Sequence, residues 1–428
     1  MDNEIVKTFS RRDFVKGAAA LSATSLLVNP GVVFSAGQET LKIGVVGCGG
    51  RGSGALGDCL NAAKHLNINT EVVALADFFM DRAVGTARRY GVPEDRCFEG
   101  AEAYKKVMAS DADVVLLATP PNFRPVHFDA AIKAGKHVFM EKPVAVDPPG
   151  ARKIMETGKL AAQKKLAVVA GTQRRHQAAY RQTAWAVANG AVGRLTSGKV
   201  WWCGGALWFN RRQEGESDAS YLVRNWVSFT EMSGDHIVEQ HVHNIDVANW
   251  YIGRHPEAAL GFGGRARRQT GNQYDFFSVD FDYGQDVHIH SMCRQINGCY
   301  NRVSEFFVGT EGSTWGTGPG REGYKKAIQL PEFEEHGGPY VQEHIDLLDS
   351  ILKGQPLNEA QIVAEATLSG IMGRISAYTG QMVRWRELVD ETVGSPWYNL
   401  VLTPTAEDFE KGTVVAPPDD VVAIPGKA

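Results

Sequence analysis

Two groups of residues carry side chains suited to moving a proton to or from a hydroxyl. The first is Glu141-Lys142-Pro143, which ends the short apolar run His137-Val138-Phe139-Met140. An ammonium at a strand end, followed by a proline that stiffens the exit, can hydrogen-bond a hydroxyl and stabilise charge developing on its oxygen. The second is the stretch from Gly234 to Asp246, Gly-Asp-His-Ile-Val-Glu-Gln-His-Val-His-Asn-Ile-Asp. At about 100° per residue, His236, Glu239, Gln240, His243 and Asp246 share one helical stripe while His241 points elsewhere. Glu239 precedes His243 by four residues, within reach to orient the imidazole and raise its basicity. A neutral His243 could then take a hydroxyl proton. The same stripe admits a rival, with His236, Glu239 and His243 around a divalent metal, although no separate fourth ligand is identifiable. The acid–base reading is adopted, with no metal expected; His241 reads as structural and His236 is left open.

Such groups need an electron acceptor beside them, and the sequence offers a place for one. The apolar run Lys42 to Val46 passes into Gly47-Cys48-Gly49-Gly50-Arg51-Gly52, with glycines at the G-x-G-x-x-G spacing. Gly47 allows the tight turn, Gly49 lets the backbone approach a pyrophosphate, and Gly52 lets the following helix pack on its strand. A helical pattern from Ala55 to Lys64 and a second strand, Glu71 to Ala76, follow in the required order. That strand ends on Asp77, placed to accept hydrogen bonds from an adenine-ribose 2′-hydroxyl. Asp77 would repel a 2′-phosphate, so NAD is expected over NADP, with Arg82 nearby as the one contrary feature. Gly47, Gly49, Gly50, Arg51, Gly52, Asp77, Thr119, Pro120, Asn122, Glu141 and Lys142 are the candidate cofactor-binding residues.

The elements that must position these residues read as an α/β chain. Asp81 to Tyr90 predicts a helix and Asp113 to Thr119 a strand buried on both faces. Phe128 to Lys133, Pro149 to Lys164 and Gln177 to Asn189 predict helices, and His137 to Met140 and Ala167 to Gly171 predict strands. This is the alternation of a Rossmann-like parallel sheet. Beyond His176, strands are predicted at Leu195–Cys203, Ala259–Arg267, Phe276–Tyr283, Val287–Arg294 and Val303–Gly309. Asp280, Asp282, His288 and His290 alternate with apolar neighbours there, the pattern of a large, mainly antiparallel sheet with one open face. Helices at Tyr340–Leu352 and Glu359–Tyr378 precede a tail rich in Pro and Asp, read as an extended arm. The expected organisation is a leader at 1–36, a nucleotide-binding domain at 37–175, a substrate and oligomerisation domain at 176–400 and a tail at 401–428. A net charge of −4 offers no general attraction to nucleic acid or anionic lipid. The six cysteines show neither metal-ligand spacing nor a disulfide framework and read as mostly free core thiols.

Arg175 and His176 follow the last strand of the first sheet, and Tyr221, Arg224, Asn225 and Trp226 form an aromatic, hydrogen-bonding cluster. With Trp201, Trp202 and Trp208 they are candidates for packing and binding a polyhydroxylated ring. At the N-terminus, Arg11-Arg12 precedes a weakly apolar run from Gly17 to Val28 and small residues at Ser35 and Ala36. This is the layout of a Tat export signal, giving an expected periplasmic or otherwise exported protein and a transient partner in the Tat machinery.

The sequence resembles the glucose–fructose oxidoreductase/inositol dehydrogenase/rhizopine-catabolism (Gfo/Idh/MocA) family. The resemblance is carried by the glycine run, by Glu141-Lys142-Pro143, by Glu239-x-x-x-His243-x-x-Asp246 and by Ser376-Ala377-Tyr378-Thr379-Gly380, and it spans about Leu41 to Trp385. It implies a Rossmann domain followed by an open-sheet domain used in oligomer contacts, and oxidation or reduction of sugars and cyclitols. It places the family's lysine at Lys142 and its catalytic histidine at His243. The family's aspartate four residues earlier is here Glu239, and His241 stands where glycine is common. Exported members keep their nicotinamide bound, and some relatives cleave glycosides through a redox cycle. The expectation is an exported NAD-dependent oxidoreductase acting on a secondary alcohol of a sugar, cyclitol or sugar derivative, homo-oligomeric in the manner the resemblance implies. The alternatives are redox-neutral glycoside cleavage or epimerisation through a keto-sugar, and a non-catalytic sugar- or NAD-binding protein.

Overall fold

A computed structural model describes residues 40–426, so the expected export signal lies outside the described residues. Six strands form the first sheet: β1 (Thr40–Val46), β2 (Asn69–Asp77), β3 (Cys97–Glu99), β4 (Val114–Leu117), β5 (His137–Met140) and β6 (Val168–Ala170). All pairings are parallel and the order is β3-β2-β1-β4-β5-β6. The central strands are continuous apolar runs because both faces are covered; Val114, Val115, Leu116 and Leu117 are all fully buried. The strand order reverses between β1 and β4, which opens the crevice where doubly wound sheets bind ligands.

β3 and the helix Ala103–Ala109 were not anticipated. Each is short, and neither has enough residues to display a hydrophobic period. The helix after the glycine turn begins at Gly50 rather than Ala55, because the glycines themselves form its first turn. The helix Pro339–Leu352 follows the second sheet in the chain yet packs in the core of the first. Its Ile345, Leu347, Leu348 and Ile351 cluster with Ile43, Val45, Leu56, Leu116 and Phe139.

The second sheet has eight strands in the order β13-β12-β11-β7-β10-β9-β8-β14. They are β7 (Leu195–Gly204), β8 (Ala258–Gly264), β9 (Phe276–Asp282), β10 (His288–Gln295), β11 (Arg302–Gly309), β12 (Gly312–Trp315), β13 (Gly318–Pro319) and β14 (Val383–Arg384). Only β7 and β10 pair in parallel; every other neighbour is antiparallel. Phe277, Val279 and Phe281 of β9 point inward, onto a core shared with the helices Val242–Ile252 and Ala360–Thr379. Asp280 points the other way and pairs with His288 across the exposed face. Leu260 and Phe262 of β8 stand on that face, 50% and 67% exposed.

The tail is more structured than an extended arm. Thr405 and Asp408 form a reciprocal cap that starts the short helix Ala406–Lys411, and Phe409 of that helix packs edge-on against Phe123 and Phe78. Glu410 accepts from Tyr104 at 2.9 Å and pairs with Lys105. Further on, Asp419 accepts from Tyr221 at 2.8 Å and the Ala423 carbonyl accepts from Tyr274 at 2.7 Å. The tail thus ties the edge of the first sheet to the second. The cysteines are all free; Cys48, Cys59, Cys97 and Cys293 are buried, whereas Cys299 is exposed. No helix among the described residues is long and apolar enough to cross a membrane.

Candidate functional site

The glycine turn is as crowded on one side as it is open on the other. Gly47 has φ +93°, and a Cβ there would fall 2.6 Å from the backbone of Ala118 and Thr119. A Cβ on Gly52 would fall 1.7 Å from the Gly47 carbonyl oxygen, so helix and strand meet only because both residues lack side chains. At Gly50 a Cβ would meet nothing within 4 Å, and at Gly49 only the tip of Arg82 at 3.9 Å. The backbone is therefore bare where a pyrophosphate would approach, at the N-terminus of the helix Gly50–His65.

This turn forms one wall of a cavity of about 830 Å³ that also takes in Asp77, Phe78, Arg82, Tyr104, Thr119, Pro120 and Phe123. The Asp77 carboxylate accepts from the N–H of Cys48 at 2.7 Å and of Phe79 at 3.0 Å, which fixes its orientation at the end of β2. Burial raises its carboxyl above the usual range and these two donors oppose the rise. Turn, bare backbone and end-of-strand acid together fit an adenine dinucleotide. Arg51 lines the cavity while its Nε donates to Glu141 Oε1 at 2.6 Å. Glu141 braces rather than lines the groove: its other oxygen accepts from the Lys142 N–H at 3.1 Å, and Gly171 makes room for it. Asn122 does not line the cavity either. It is buried with Nδ2 on the Met232 sulfur at 3.3 Å, because the turn after Pro120 aims it at the second sheet's side of the fold.

The far wall comes from residues expected to touch substrate. Arg224 and Trp226 line the nucleotide cavity together with Trp208 and Val223, and Trp208 and Trp226 meet edge to face at 6.1 Å. Tyr221 and Asn225 do not reach it. Tyr221 is buried against the tail through Asp419, and Asn225, fully buried, holds Asn210 through a 2.7 Å bond to its N–H. Arg175 and His176 are likewise internal. Arg175 makes a bidentate pair with Asp246, with Nε and Nη2 each at 2.8 Å from a carboxylate oxygen. His176 Nδ1 lies 2.6 Å from Asp346 and its Nε2 3.3 Å from Glu359. Burial disfavours its charge, but Glu359 and Asp346 outweigh it and push the imidazole up to about 10. All four are tied to internal partners in the structure.

Lys142 and the 236–246 stretch meet outside this cavity. The stretch is not one helix: His236–Glu239 ends and Val242–Ile252 begins across Gln240 and His241. The expected stripe therefore diverges. His236 Nδ1 lies 3.0 Å from Asp235, Asp246 pairs with Arg175, and Glu239 turns to Lys142. The Lys142 Nζ donates to the Glu239 carbonyl at 2.6 Å and to its Oε1 at 3.0 Å. Glu239 consequently makes no hydrogen bond to His243, and three ligands of the metal alternative do not converge. Among the described residues no group of three His, Cys, Asp or Glu is placed to hold a metal ion.

His243 is 7% exposed, with a buried Nδ1 that has no hydrogen-bond partner. Its ring stacks on Trp202, centroids 5.5 Å apart and planes 20° apart. Burial, then the charges of Lys142 and Arg174, push its imidazole well below the ordinary value, so the ring is neutral at pH 7. His241 is structural, as expected: fully buried, its Nε2 on Ser291 Oγ at 2.7 Å. Phe78, Tyr104 and Phe123 lay beyond sequence reasoning, since no motif marks them and only the fold brings them to the groove. The same holds for Glu343, fully buried near Arg51 at 3.7 Å.

The sheet order, bare glycine turn and strand-end acid define a dinucleotide-binding protein of the Rossmann class. The sequence model described as "Oxidoreductase family, NAD-binding Rossmann fold" (Gfo/Idh/MocA) matches residues 41–172. Over this stretch, about a third of its length, the chain is similar to the Gfo/Idh/MocA oxidoreductase family. It is similar to inositol 2-dehydrogenase 3 of Saccharopolyspora erythraea, 32% identical over 36% of this chain and 42% of the relative. It is also similar to the inositol 2-dehydrogenase of Rubrobacter xylanophilus, 28% identical over 57% of this chain and 62% of the relative. The chain thus spans about half the length of these relatives. Among solved structures, scyllo-inositol dehydrogenase of Lactobacillus casei with bound NAD(H) and scyllo-inositol superposes with a TM-score of 0.61 at 19% identity. That match covers 81% of this chain and 99% of the other, a likeness of fold.

Two tests follow from this geometry. Gly49→Ala is expected to leave thermal stability nearly unchanged while weakening NAD binding about tenfold or more, because its methyl meets only the nucleotide's side. Gly52→Ala should lower the melting temperature itself; equal stability of the two variants would show that the turn is not packed this way. His176, raised above its unfolded value, contributes stability fully present below about pH 6.5 and lost as pH rises towards about 10. Chemical unfolding of the parent should therefore weaken across that window, and His176→Gln should flatten the slope.

Proposed function

We propose that this protein is an NAD-dependent oxidoreductase acting on a secondary alcohol of a sugar, cyclitol or sugar derivative. The observation that carries the reading is a largely enclosed ammonium, Lys142, 14% exposed, held at the end of β5 beside a neutral imidazole, His243. β5 neighbours β4, whose end at Thr119 and Pro120 lines the nucleotide groove. NAD, when bound, supplies the two-electron acceptor. The chain's own residues handle the oxygen and its proton. His243, uncharged, takes the hydroxyl proton on the ring nitrogen that is not buried. Lys142 has three N–H donors and spends two on Glu239, leaving one for the oxygen as its C–O bond gains double-bond character. Glu239 fixes the ammonium, a role distinct from the expected orientation of His243. Inositol dehydrogenases among the relatives support the substrate class.

A second reading, redox-neutral chemistry through a keto-sugar, is favoured by the roof over the nucleotide groove. Trp208, Arg224 and Trp226 cover it, and the tail latches the roofing segment through Tyr221–Asp419 and Asp218, which accepts from the Ala416 N–H at 2.8 Å. A cofactor so covered leaves slowly and is suited to being restored within each cycle. The Arg11-Arg12 segment supports export by the Tat route, which passes folded protein with its cofactor seated, to a compartment without a free NAD pool. The exposed Leu260 and Phe262 support burial of the outer sheet face against a second copy.

A panel of sugars, cyclitols and glycosides, read by cofactor absorbance and product mass, tests the activity. Net absorbance change marks a dehydrogenase, product without net change marks redox-neutral chemistry, and no response in either favours a non-catalytic binder. On an active substrate, Lys142→Met and His243→Asn should each lower turnover about 10²-fold or more with NAD affinity kept. Near-normal turnover of either would remove that residue from the chemistry. Protein purified from the periplasm without added nucleotide should carry close to one NAD(H) per chain, lack the leader by intact mass, and scatter light as an oligomer that Phe262→Asp dissociates. Clean apo-protein with rapid NAD exchange would overturn the retained-cofactor reading, cytoplasmic retention the export, and an unchanged mass the interface.

A further inference from the structure

His243 has no hydrogen-bond partner on either ring nitrogen among the described residues, so something other than a hydrogen bond must hold it. On the side of the second sheet its neighbour is Trp202 of β7, half-buried and packed on the main core. Behind Trp202 stands Arg174, its guanidinium carbon 5.7 Å from the indole and 5.5 Å from the ring of Tyr180. Arg174 is itself locked: Nη1 donates to Glu305, a carboxylate 2% exposed that also accepts from Tyr180 at 3.0 Å and from Asn244 at 2.5 Å. Asn244 directly follows His243, so the same carboxylate pins the backbone on which the imidazole sits.

We infer that Trp202, backed by the Arg174–Glu305 pair, is the positioning residue of His243. This rests on the base role given to His243 above. A flat indole stacked nearly parallel to the imidazole permits little rotation about the ring's own attachment and shields one of its faces from water. An indole that already faces a guanidinium also offers less to a second cation, so a protonated His243 gains little from the stack. The charged or titratable groups around the imidazole are Lys142 from the end of β5, Glu239 and His241 from the broken helix, Arg174 after β6 and Glu305 from β11. Glu239 is committed to Lys142 and Glu305 to Arg174, which leaves no carboxylate to stabilise an imidazolium. The ring is thus aimed and kept unprotonated by a hydrophobic plate, where many histidine bases are oriented by a carboxylate.

The test is nuclear magnetic resonance of full-length protein labelled at histidine Cε1, with no substrate required. The His243 signal is assigned by its loss in His243→Gln. In the parent its midpoint should lie well below that of a free imidazole. Trp202→Leu, checked for native circular dichroism, should raise the midpoint by about one pH unit or more as water enters, and Trp202→Phe should restore parent behaviour. Trp202→Met replaces the leucine variant if that variant does not fold. A leucine or methionine variant titrating like the parent, or a phenylalanine variant shifted as far as they are, would overturn the assignment. Full turnover by His243→Gln on an active sugar would instead overturn the base role, whatever the titration shows.

Discussion

The contact between Lys142 and Glu239 is the joint on which the site depends. It spans the two sheets: Lys142 ends β5 of the first, and Glu239 closes the first turn of the broken helix that packs beneath the second. Both side chains are nearly buried, at 14% and 10% exposure, so neither charge is tolerable without the other. Removing one partner of such a pair leaves an uncompensated charge, and the arrangement is therefore maintained by necessity as much as by attraction. Its position also decides the electrostatics next door. A carboxylate that faced His243 would raise the imidazole's proton affinity; turned to Lys142, it leaves the ring exposed to the ammonium's repulsion.

Around this joint the molecule is built from tightly constrained approaches. Gly52 against the Gly47 carbonyl, Gly47 against Ala118 and Thr119, and Gly171 against Glu141 are three places where any side chain would collide with its neighbour. The glycine turn, the end of β4 and the Glu141 carboxylate are held in mutual register by these contacts. Arg51 then couples the turn to Glu141, which in turn holds the Lys142 backbone, so the nucleotide groove and the proton-handling pair share one bracket.

Much of this was legible in the residues. The parallel strands were readable because burial on both faces writes them as unbroken apolar runs, and β5 was placed to the residue. Gly47, Gly49, Gly52 and Asp77 were readable because their spacing follows from a backbone requirement that only those residue types meet. The helical stripe from His236 to Asp246 misled because periodicity assumes an uninterrupted helix, and the break at Gln240 and His241 carries no glycine or proline to announce it. Arg175, His176, Tyr221 and Asn225 have the composition of a ligand site but were claimed by internal partners, a choice made by tertiary packing. Phe78 and Tyr104 were missed for the opposite reason, being ordinary residues promoted by where the loops end.

The helix Pro339–Leu352 carries a consequence for how the chain is made. Its apolar face completes the core around β1, β4 and β5, although most of the second sheet lies between those strands and it. During synthesis the nucleotide-binding half emerges first but stays open, with Ile43, Leu56 and Phe139 lacking their cover, until residue 352 has left the ribosome. Cofactor can therefore add little stability to a growing chain, and the two halves must mature as one late, long-range event rather than in succession. The apolar flank left waiting in the interval is the surface that a chaperone would meet.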